Sequence, residues 1–428
     1  MTHFGIICPP ATGHLNPLTA LGRELQSRGH QVSVVGVLDA EKKADSAGLE
    51  FCAFAESEFP RGTMAQVFEE RGKLSGLAAL QHAIQSIQRT TAIVLQHAPK
   101  AVQVDAIDTL LVDQLSPAGG TIADYLDIPF ISVSAALTSN EDVSVPPYNT
   151  PWNYSSAGWA KIRNRIGYQL LHRIRKPIDE TINEYRREWH LPPHHSPDDA
   201  YSQLAQLCQQ PAEFEFPRET LPKCFHFTGA YHNLASRESV DFPFAKLTGQ
   251  PLIYASLGTL SNRLMQVFET IAEACMGLNA QLVISLGRET SQASVPKFPG
   301  SPLVVGQAPQ LELLQRASLT ITHAGLNTAL ESISHGVPMV AIPITNDQPG
   351  VAARIAWTGC GKRFKLSGLN VAKLRSAVER VLTQDSYRNH ATRLQTANQQ
   401  AGGVVRAADI IERVMSTGKP VVNEQVIR

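Results

Sequence analysis

The sequence has little of several features that define common classes of protein. Its 428 residues carry no net charge, because 38 Lys and Arg residues balance 38 Asp and Glu residues. We therefore predict no nucleic-acid partner. The six cysteines include no C-x-x-C pair, which predicts reduced thiols in a cytoplasm and no zinc site. No window approaches the roughly 20 apolar residues that a membrane span needs.

Two ligand-binding motifs are also missing. No D-x-D triplet occurs anywhere in the chain, so we predict neither a metal clamp on a diphosphate nor a cofactor. The turn after the first predicted strand, Cys8 to Gly13, is not G-x-G-x-x-G, which argues against an NAD-dependent oxidoreductase. The chain starts with a short apolar run and no basic leader, which predicts no secretory signal peptide.

Length and periodicity predict two α/β domains. A chain of 428 residues is more than one hydrophobic core comfortably holds. Short apolar runs alternate with helical patterns in both halves, as in doubly wound parallel sheets. We therefore predict two Rossmann-like domains that face each other across a cleft. The predicted boundaries are 1–228 for the first domain with an insertion at about 139–222 outside its sheet, 229–250 for a linker, 251–402 for the second domain, and 403–428 for a helix that returns to the first domain and a loose tail.

A junction between a strand and a helix in the second half predicts an anion site. Gly325, Asn327 and Thr328 open a helix directly after a predicted strand, and the free amides and positive dipole of such a helix start suit a diphosphate. His323 adds a donor, and Glu331, one turn into the helix, is placed to accept ribose hydroxyls. An isolated junction of this kind is more often ordinary turn chemistry, but the longer arrangement around it favours a nucleotide.

The stretch from Gln307 to Gln348 resembles the donor-binding signature of the UDP-glycosyltransferases. The resemblance implies the two-domain GT-B fold and a UDP-sugar as co-substrate. Gln307 stands where many members stack the uracil on Trp. By resemblance, the donor contacts are Gln310 through its backbone for the uracil edge, Glu331 for the ribose, His323, Asn327 and Thr328 for the diphosphate, Asp347 and Gln348 for the sugar hydroxyls, and the loop of Ser256, Gly258 and Thr259 for a second phosphate contact.

Two residues of the first domain predict a catalytic pair. The chemistry requires proton removal from an acceptor hydroxyl, and histidine does this near neutral pH when a carboxylate holds its tautomer. The family resemblance falls on His14 and Asp113, each beyond the carboxyl end of a predicted strand. A lone histidine in a loop is more often a surface or packing residue. Its occurrence together with the donor site favours the role of base.

These residues predict an inverting glycosyltransferase that moves a hexose from a UDP-sugar to a hydroxyl of a small, largely apolar acceptor, such as a terpenoid, carotenoid or phenolic. Gln348 favours glucose by resemblance. A UDP-sugar epimerase of the same fold is one alternative, but it needs further acid and base groups beside the sugar. A non-catalytic nucleotide-sugar-binding activator of another transferase is a second alternative, but such a protein has no need of His14 and Asp113.

The predicted insertion contains a basic amphipathic helix at about 159–176. A solvated helix is the default interpretation of such a pattern. Weak contact with the inner face of a membrane is the alternative, and it would suit delivery of a lipophilic acceptor. The preceding loop, 138–152, is loosely similar to the acceptor region of bacterial carotenoid (zeaxanthin-type) glucosyltransferases.

Overall fold

The computed structural model describes residues 1–64, 66–67, 70, 76–232, 237, 240–258, 264–287 and 296–423. The described strands form a seven-stranded sheet of order β3-β2-β1-β4-β5-β6-β7 and a six-stranded sheet of order β10-β9-β8-β11-β12-β13. Neighbouring strands of both sheets are parallel. In each sheet the strand order reverses beside the first strand, which is the doubly wound arrangement. The predicted fold class is therefore confirmed.

The first sheet and its helices come from the N-terminal half of the chain. Its strands are β1 (His3–Ile7), β2 (Gln31–Gly36), β3 (Glu50–Ala53), β4 (Thr109–Asp113), β5 (Phe130–Ser134), β6 (Gln206–Cys208) and β7 (Phe225–Phe227). Its helices are α1 (Thr12–Ser27), α2 (Glu41–Ser46), α3 (Gly76–Val104), α4 (Gly119–Leu126) and α5 (Gly158–Glu188).

The second sheet and its helices follow. The strands are β8 (Leu252–Ser256), β9 (Gln281–Ser285), β10 (Leu303–Val305), β11 (Ala317–Thr322), β12 (Met339–Ala341) and β13 (Gly361–Arg363). The helices are α6 (Met265–Cys275), α7 (Gln310–Leu314), α8 (Leu326–Ser334), α9 (Gln348–Trp357), α10 (Val371–Thr383), α11 (Asp385–Ala401) and α12 (Gly403–Thr417).

The central strands are buried on both faces because helices cover both sides of each sheet. Every residue of β1, β4 and β8 is buried, so these segments are near-continuous apolar runs without alternation. Polar residues appear where the strands end, as Asp113 does at the end of β4. Polar side chains that can bind or react with a ligand therefore lie at the carboxyl edges of the sheets.

The predicted insertion at 139–222 is wrong in one respect. We predicted that this range lies outside the sheet, but β6 forms within it and pairs with β5 and β7. The strand has only three residues, and it begins with a polar glutamine, Gln206, so it lacks the apolar run that identifies a buried strand.

Helix α1 begins one turn earlier than the sequence predicts. In the sequence, Asn16 and Pro17 predict the N-cap and the first helical residue, but the helix begins at Thr12 and contains Pro17. Because proline has no N–H group, it leaves the carbonyl of the residue four positions earlier, Gly13, without its helical donor. His14 consequently lies in the first helical turn and not in a loop.

The last helix, α12, packs against α1 of the first half. Its residues Ile411 and Val414 belong to the same buried cluster as Phe4 and Leu18. Arg28, the C-cap residue of α1, also forms ion pairs with Asp409 and Glu412 of α12. Among the described residues, no helix is both long enough and apolar enough to cross a membrane.

Candidate active site

His14 and Asp113 lie together at the carboxyl edge of the first sheet. Strand β1, which leads into α1, pairs in parallel with β4, with Ile7 opposite Val112. The His14 Nδ1 and Asp113 Oδ2 atoms are 2.8 Å apart. The other carboxylate oxygen, Oδ1, accepts a 2.7 Å hydrogen bond from the Leu115 backbone N–H. Asp113 is fully buried and His14 is partly exposed, so the carboxylate fixes the ring and the Nε2 atom stays available.

Four influences act on the pKa of His14. Burial lowers it, but the charge of Asp113, the hydrogen bond to Asp113 and the charge of Asp347 together outweigh burial and raise the pKa above 6.5. Asp347 belongs to the second half of the chain, directly before α9. Burial raises the pKa of Asp347, which the Leu137 amide and His14 partly offset. Charged groups from both halves of the molecule therefore determine the pKa of His14.

The start of α8 presents its amides towards this site. The residue before the helix is Gly325, and no side chain caps the helix there. An uncapped helix start leaves up to four amides and the positive dipole end for an anion. The structure therefore agrees with the predicted position of the junction, while the diphosphate itself stays a prediction.

The His323 ring fills the space between two glycines. A Cβ atom on Gly258 would lie 2.6 Å from the ring, and one on Gly325 would lie 2.5 Å from it. Burial lowers the pKa of His323 to about 4, so the imidazole is neutral near pH 7 and has one N–H to donate. Its buried Nδ1 atom has no hydrogen-bond partner among the described residues.

Asn327 of α8 connects the two halves of the molecule. Its Nδ2 donates a 2.6 Å hydrogen bond to the carbonyl of Gly13, the carbonyl that Pro17 leaves without a helical donor. Its Oδ1 accepts a 2.8 Å hydrogen bond from Nε2 of Gln209. The side chain that we predicted to contact a diphosphate thus holds the residue next to His14.

Glu331, the predicted ribose acceptor, is buried and its carboxylate is bonded on both oxygens. Oε2 accepts a 2.6 Å hydrogen bond from Nε2 of Gln310, and Oε1 pairs with Arg237 of the predicted linker. Gln310 is itself held by the hydroxyl of Tyr254, at 3.1 Å, and its Nε2 lies 3.4 Å from Thr328 Oγ1. A ribose that used the carboxylate would have to share it with these donors.

Asp347 and Gln348 lie at the start of α9. Asp347 has the N-cap position but makes no side-chain cap hydrogen bond, and its Oδ2 lies 3.4 Å from the Leu137 amide. The Oε1 atom of Gln348 accepts hydrogen bonds of 2.9 Å from the amides of Ile344 and Thr345. The glutamine therefore shapes its own loop with its oxygen, and only its amino group is left for a sugar hydroxyl.

Three predicted donor residues remain. Ser256 ends β8, and its Oγ accepts a 3.3 Å hydrogen bond from the amide of Gly258. Thr259 lies outside the described residues. Gln307 is exposed just beyond β10. Among the described residues, no three His, Cys, Asp or Glu side chains lie together as a metal site requires.

Sequence reasoning missed four residues of the site: Gln209, Tyr254, Leu137 and Arg237. Gln209 and Leu137 come from the first half of the chain and contact residues of α8 and the start of α9. Pro17, four residues after Gly13, indicated that the Gly13 carbonyl lacks its helical hydrogen-bond donor. No local pattern indicates which residue donates to this carbonyl instead, because Asn327 is 314 positions away.

Known proteins resemble this chain over its whole length. The zeaxanthin glucosyltransferase of Pantoea ananas is 34% identical over 99% of this chain and 98% of its own. The zeaxanthin glucosyltransferase of Pseudescherichia vulneris is 30% identical over 98% of this chain and 100% of its own. Among solved structures, the glycosyltransferase of kitacinnamycin superimposes with a TM-score of 0.75 at 22% identity, covering 96% of this chain and 98% of the other.

The two doubly wound sheets and the likeness to this solved structure show that the chain has the GT-B fold. The model of the family "UDP-glucoronosyl and UDP-glucosyl transferase" matches residues 6–415. The chain belongs to this family and is a UDP-sugar-dependent glycosyltransferase.

Proposed function

We propose that the enzyme transfers glucose from UDP-glucose, with inversion, to a hydroxyl group of a small, largely apolar acceptor such as a carotenoid, a terpenoid or a phenolic. The observation that carries the proposal is the 2.8 Å contact between His14 and Asp113 beside Asp347 of the other half. Two zeaxanthin glucosyltransferases among the relatives support glucose as the donor sugar and a carotenoid as the first acceptor to test.

In the proposed reaction His14 acts as the general base. Nε2 accepts the proton of the acceptor hydroxyl while the buried Asp113 carboxylate stabilises the imidazolium that forms. The acceptor oxygen attacks the anomeric carbon of glucose from the side opposite the diphosphate, and the bond from that carbon to UDP breaks. The electron pair of the broken bond goes to the diphosphate oxygen, so the configuration at the anomeric carbon inverts.

The second half of the chain stabilises the leaving group in this proposal. The uncapped amides of α8 and the single N–H of neutral His323 face the charge that develops on UDP. Asp347 and the amino group of Gln348 hold the sugar hydroxyls, Glu331 the ribose, and Gln310 the uracil. No metal ion is required, because the helix start supplies the positive end of a dipole.

The two alternative functions fit less well. The family to which the chain belongs comprises transferases, which favours transfer over epimerisation. A non-catalytic activator has no use for a histidine whose tautomer is fixed by a buried carboxylate. We further propose that the enzyme works in the cytoplasm, at the inner face of the membrane, because a largely apolar acceptor partitions out of water.

Purified enzyme with UDP-glucose and a panel of zeaxanthin, hydroxylated terpenoids and phenolics tests the proposal. We expect a hexose adduct by mass spectrometry, with a β-glucosidic proton in the NMR spectrum. His14→Ala should slow transfer by about 10²- to 10⁴-fold while UDP still shifts the melting temperature. His30→Ala, a histidine paired with Glu412 of α12, is the control. Undiminished transfer by His14→Ala would remove the base from the mechanism.

A further inference from the structure

Helix α5 exposes a row of large apolar side chains in its first half. Trp159, Ile162, Ile166 and Leu170 are 61%, 59%, 60% and 56% exposed. At 100° per residue these four positions fall within one narrow stripe of the helix surface. We call them the outer face of α5. Isolated exposed apolar residues need no explanation, but a contiguous stripe on one helix indicates a contact surface.

The stretch of α5 that carries the outer face is rich in cationic residues. From Gly158 to Lys176 the sequence contains no acidic residue. The same stretch contains the cations Lys161, Arg163, Arg165, Arg173, Arg175 and Lys176. Arg165 and Arg173 are exposed beside the stripe, and among the described residues neither has a carboxylate partner. Lys161, Arg175 and Lys176 pair with Glu219, Asp179 and Glu180. Among the described residues, Arg165 and Arg173 are therefore the exposed cations beside the stripe that remain for an anionic surface.

The opposite face of the same helix holds the loop that leads to the active site. Nδ2 of Asn164 donates a 3.0 Å hydrogen bond to the carbonyl of Val143. A Cβ atom on Gly167 would lie 2.8 Å from the ring of Trp152, so the loop packs directly on the helix. Further along the loop, the carbonyl of Tyr148 contacts Gly350 of α9, the helix that begins beside Asp347.

We propose that the outer face of α5 docks on an anionic lipid bilayer, so that a lipophilic acceptor passes from the bilayer past the loop into the site. An interfacial helix of this kind buries its apolar stripe in the headgroup region, and its cations contact anionic lipid. The proposal rests on the proposed function for the acceptor, but the docking itself does not.

A second copy of the chain is a poorer occupant of this face. A twofold interface pairs a surface with the same surface of the partner, so the cations of one copy would face the cations of the other. An anionic bilayer offers both the apolar layer and the opposite charge.

Co-flotation with lipid vesicles tests the docking. The wild-type enzyme should bind phosphatidylglycerol vesicles at low salt and bind at least tenfold more weakly to phosphatidylcholine vesicles or at high salt. The double variant Ile162→Glu/Ile166→Glu should lose at least tenfold in binding. Val405→Glu is the matched control, because Val405 is also exposed, at 51%, but lies in α12. It should bind as the wild type does.

Turnover with two acceptors separates docking from catalysis. With a hydroxylated carotenoid embedded in vesicles, the double variant should be at least fivefold slower than the wild type. With a water-soluble phenolic it should match the wild type, which also shows that it is folded. If neither acceptor is glucosylated by the wild type, the proposed function fails, while flotation still decides the docking.

Three results would overturn the inference. The first is a wild-type enzyme that stays unbound on anionic vesicles at low salt. The second is a double variant that floats as the wild type does. The third is a wild-type dimer in solution that the double variant converts to monomers, since the outer face would then be an interface between copies.

Discussion

Asn327 supplies Gly13 with the hydrogen-bond donor that Pro17 cannot give. The 2.6 Å bond from the asparagine amide to the glycine carbonyl joins the first turn of the donor-side helix α8 to the first turn of α1. His14 is the next residue after Gly13, so the position of the base depends on a residue of the other half. A displacement of about 1 Å at a reacting group can cost about 10²-fold in rate.

A double-mutant cycle measures this bridge. We expect Asn327→Ala to lower kcat at least tenfold, because both α1 and the leaving-group site lose a donor. Pro17→Ala restores an N–H to the Gly13 carbonyl, so in that background Asn327→Ala should cost clearly less. Steady-state kinetics of the four proteins gives the coupling. An equal loss in both backgrounds would mean that Asn327 acts on the diphosphate alone.

The pH dependence of kcat/KM should report the raised pKa of His14. The base must be neutral to accept a proton, so activity falls as the pH drops through the pKa of His14, and we expect a midpoint above 6.5. Asp113→Asn removes the charge that raises this pKa and leaves the burial that lowers it. The midpoint should therefore move to lower pH while the plateau rate falls by about 10²-fold or more. An unshifted midpoint would assign the titration to another group.

Glu331 should recognise the ribose. Loss of hydrogen bonds to a charged group costs about 1.5–3 kcal/mol, so Glu331→Ala should raise KM for UDP-glucose by about one to two orders of magnitude with a smaller change in kcat. Inhibition by UDP and by 2′-deoxy-UDP supplies the sharper measurement. The wild type should prefer UDP, and the variant should bind both alike. A preference that survives in Glu331→Ala would place the ribose elsewhere.

A buried ion pair anchors the helix that begins beside Asp347. Nε of Arg354 donates a 3.1 Å hydrogen bond to Oε1 of Glu215, and Arg218 lies 3.6 Å from the same oxygen. Burial raises the pKa of Glu215, but the two arginines outweigh it and the net pKa is lowered. The pair therefore contributes stability above the unfolded pKa of about 4.3, and this contribution is lost as the pH falls through the lower folded value.

Removal of the Glu215 charge should destabilise the protein strongly at pH 7. Glu215→Gln leaves two buried arginines without a counter-charge, at a cost of about 3–5 kcal/mol. Urea unfolding followed by circular dichroism measures the loss. Glu219→Gln breaks an exposed pair with Lys161 and should leave the unfolding midpoint unchanged. Equal midpoints for the two variants would contradict the role of the buried pair.

The sequence predicts regular elements well where turn residues punctuate apolar runs. The helix that the sequence predicts to open at Gly325, Asn327 and Thr328 is found at Leu326–Ser334, because Gly325 and Gly336 bracket it. Strand β6 was not predicted from the sequence, because three residues that begin with glutamine carry too little apolar pattern. Helix α1 was misplaced because Pro17 normally marks a first turn, and here a tertiary hydrogen bond from Asn327 makes an earlier start possible.

The sequence could predict where the candidate site residues lie in the fold, but it could not predict most of their mutual contacts. The roles of these residues stay predictions. The family resemblance singled out His14 and Asp113, and the junction between a strand and a helix indicated the α8 start. Each of them follows a strand, and the carboxyl ends of parallel strands share one edge of a sheet. The bonds from Gln209 to Asn327 and from Leu137 to Asp347 join distant parts of the chain. Side-chain contacts of this kind leave no periodic trace in the sequence.

The packing of His323 against Gly258 and Gly325 limits how donor loops can be exchanged between relatives. A methyl group at either glycine would clash with the imidazole. An alanine substitution there would therefore displace the His323 ring, and its effect would not measure a lost contact between the glycine and the donor. In chimeric enzymes built to accept new sugars, His323, Gly258 and Gly325 have to come from the same parent, because the ring fits only where both glycines lack a side chain. They have to be transplanted together or left alone.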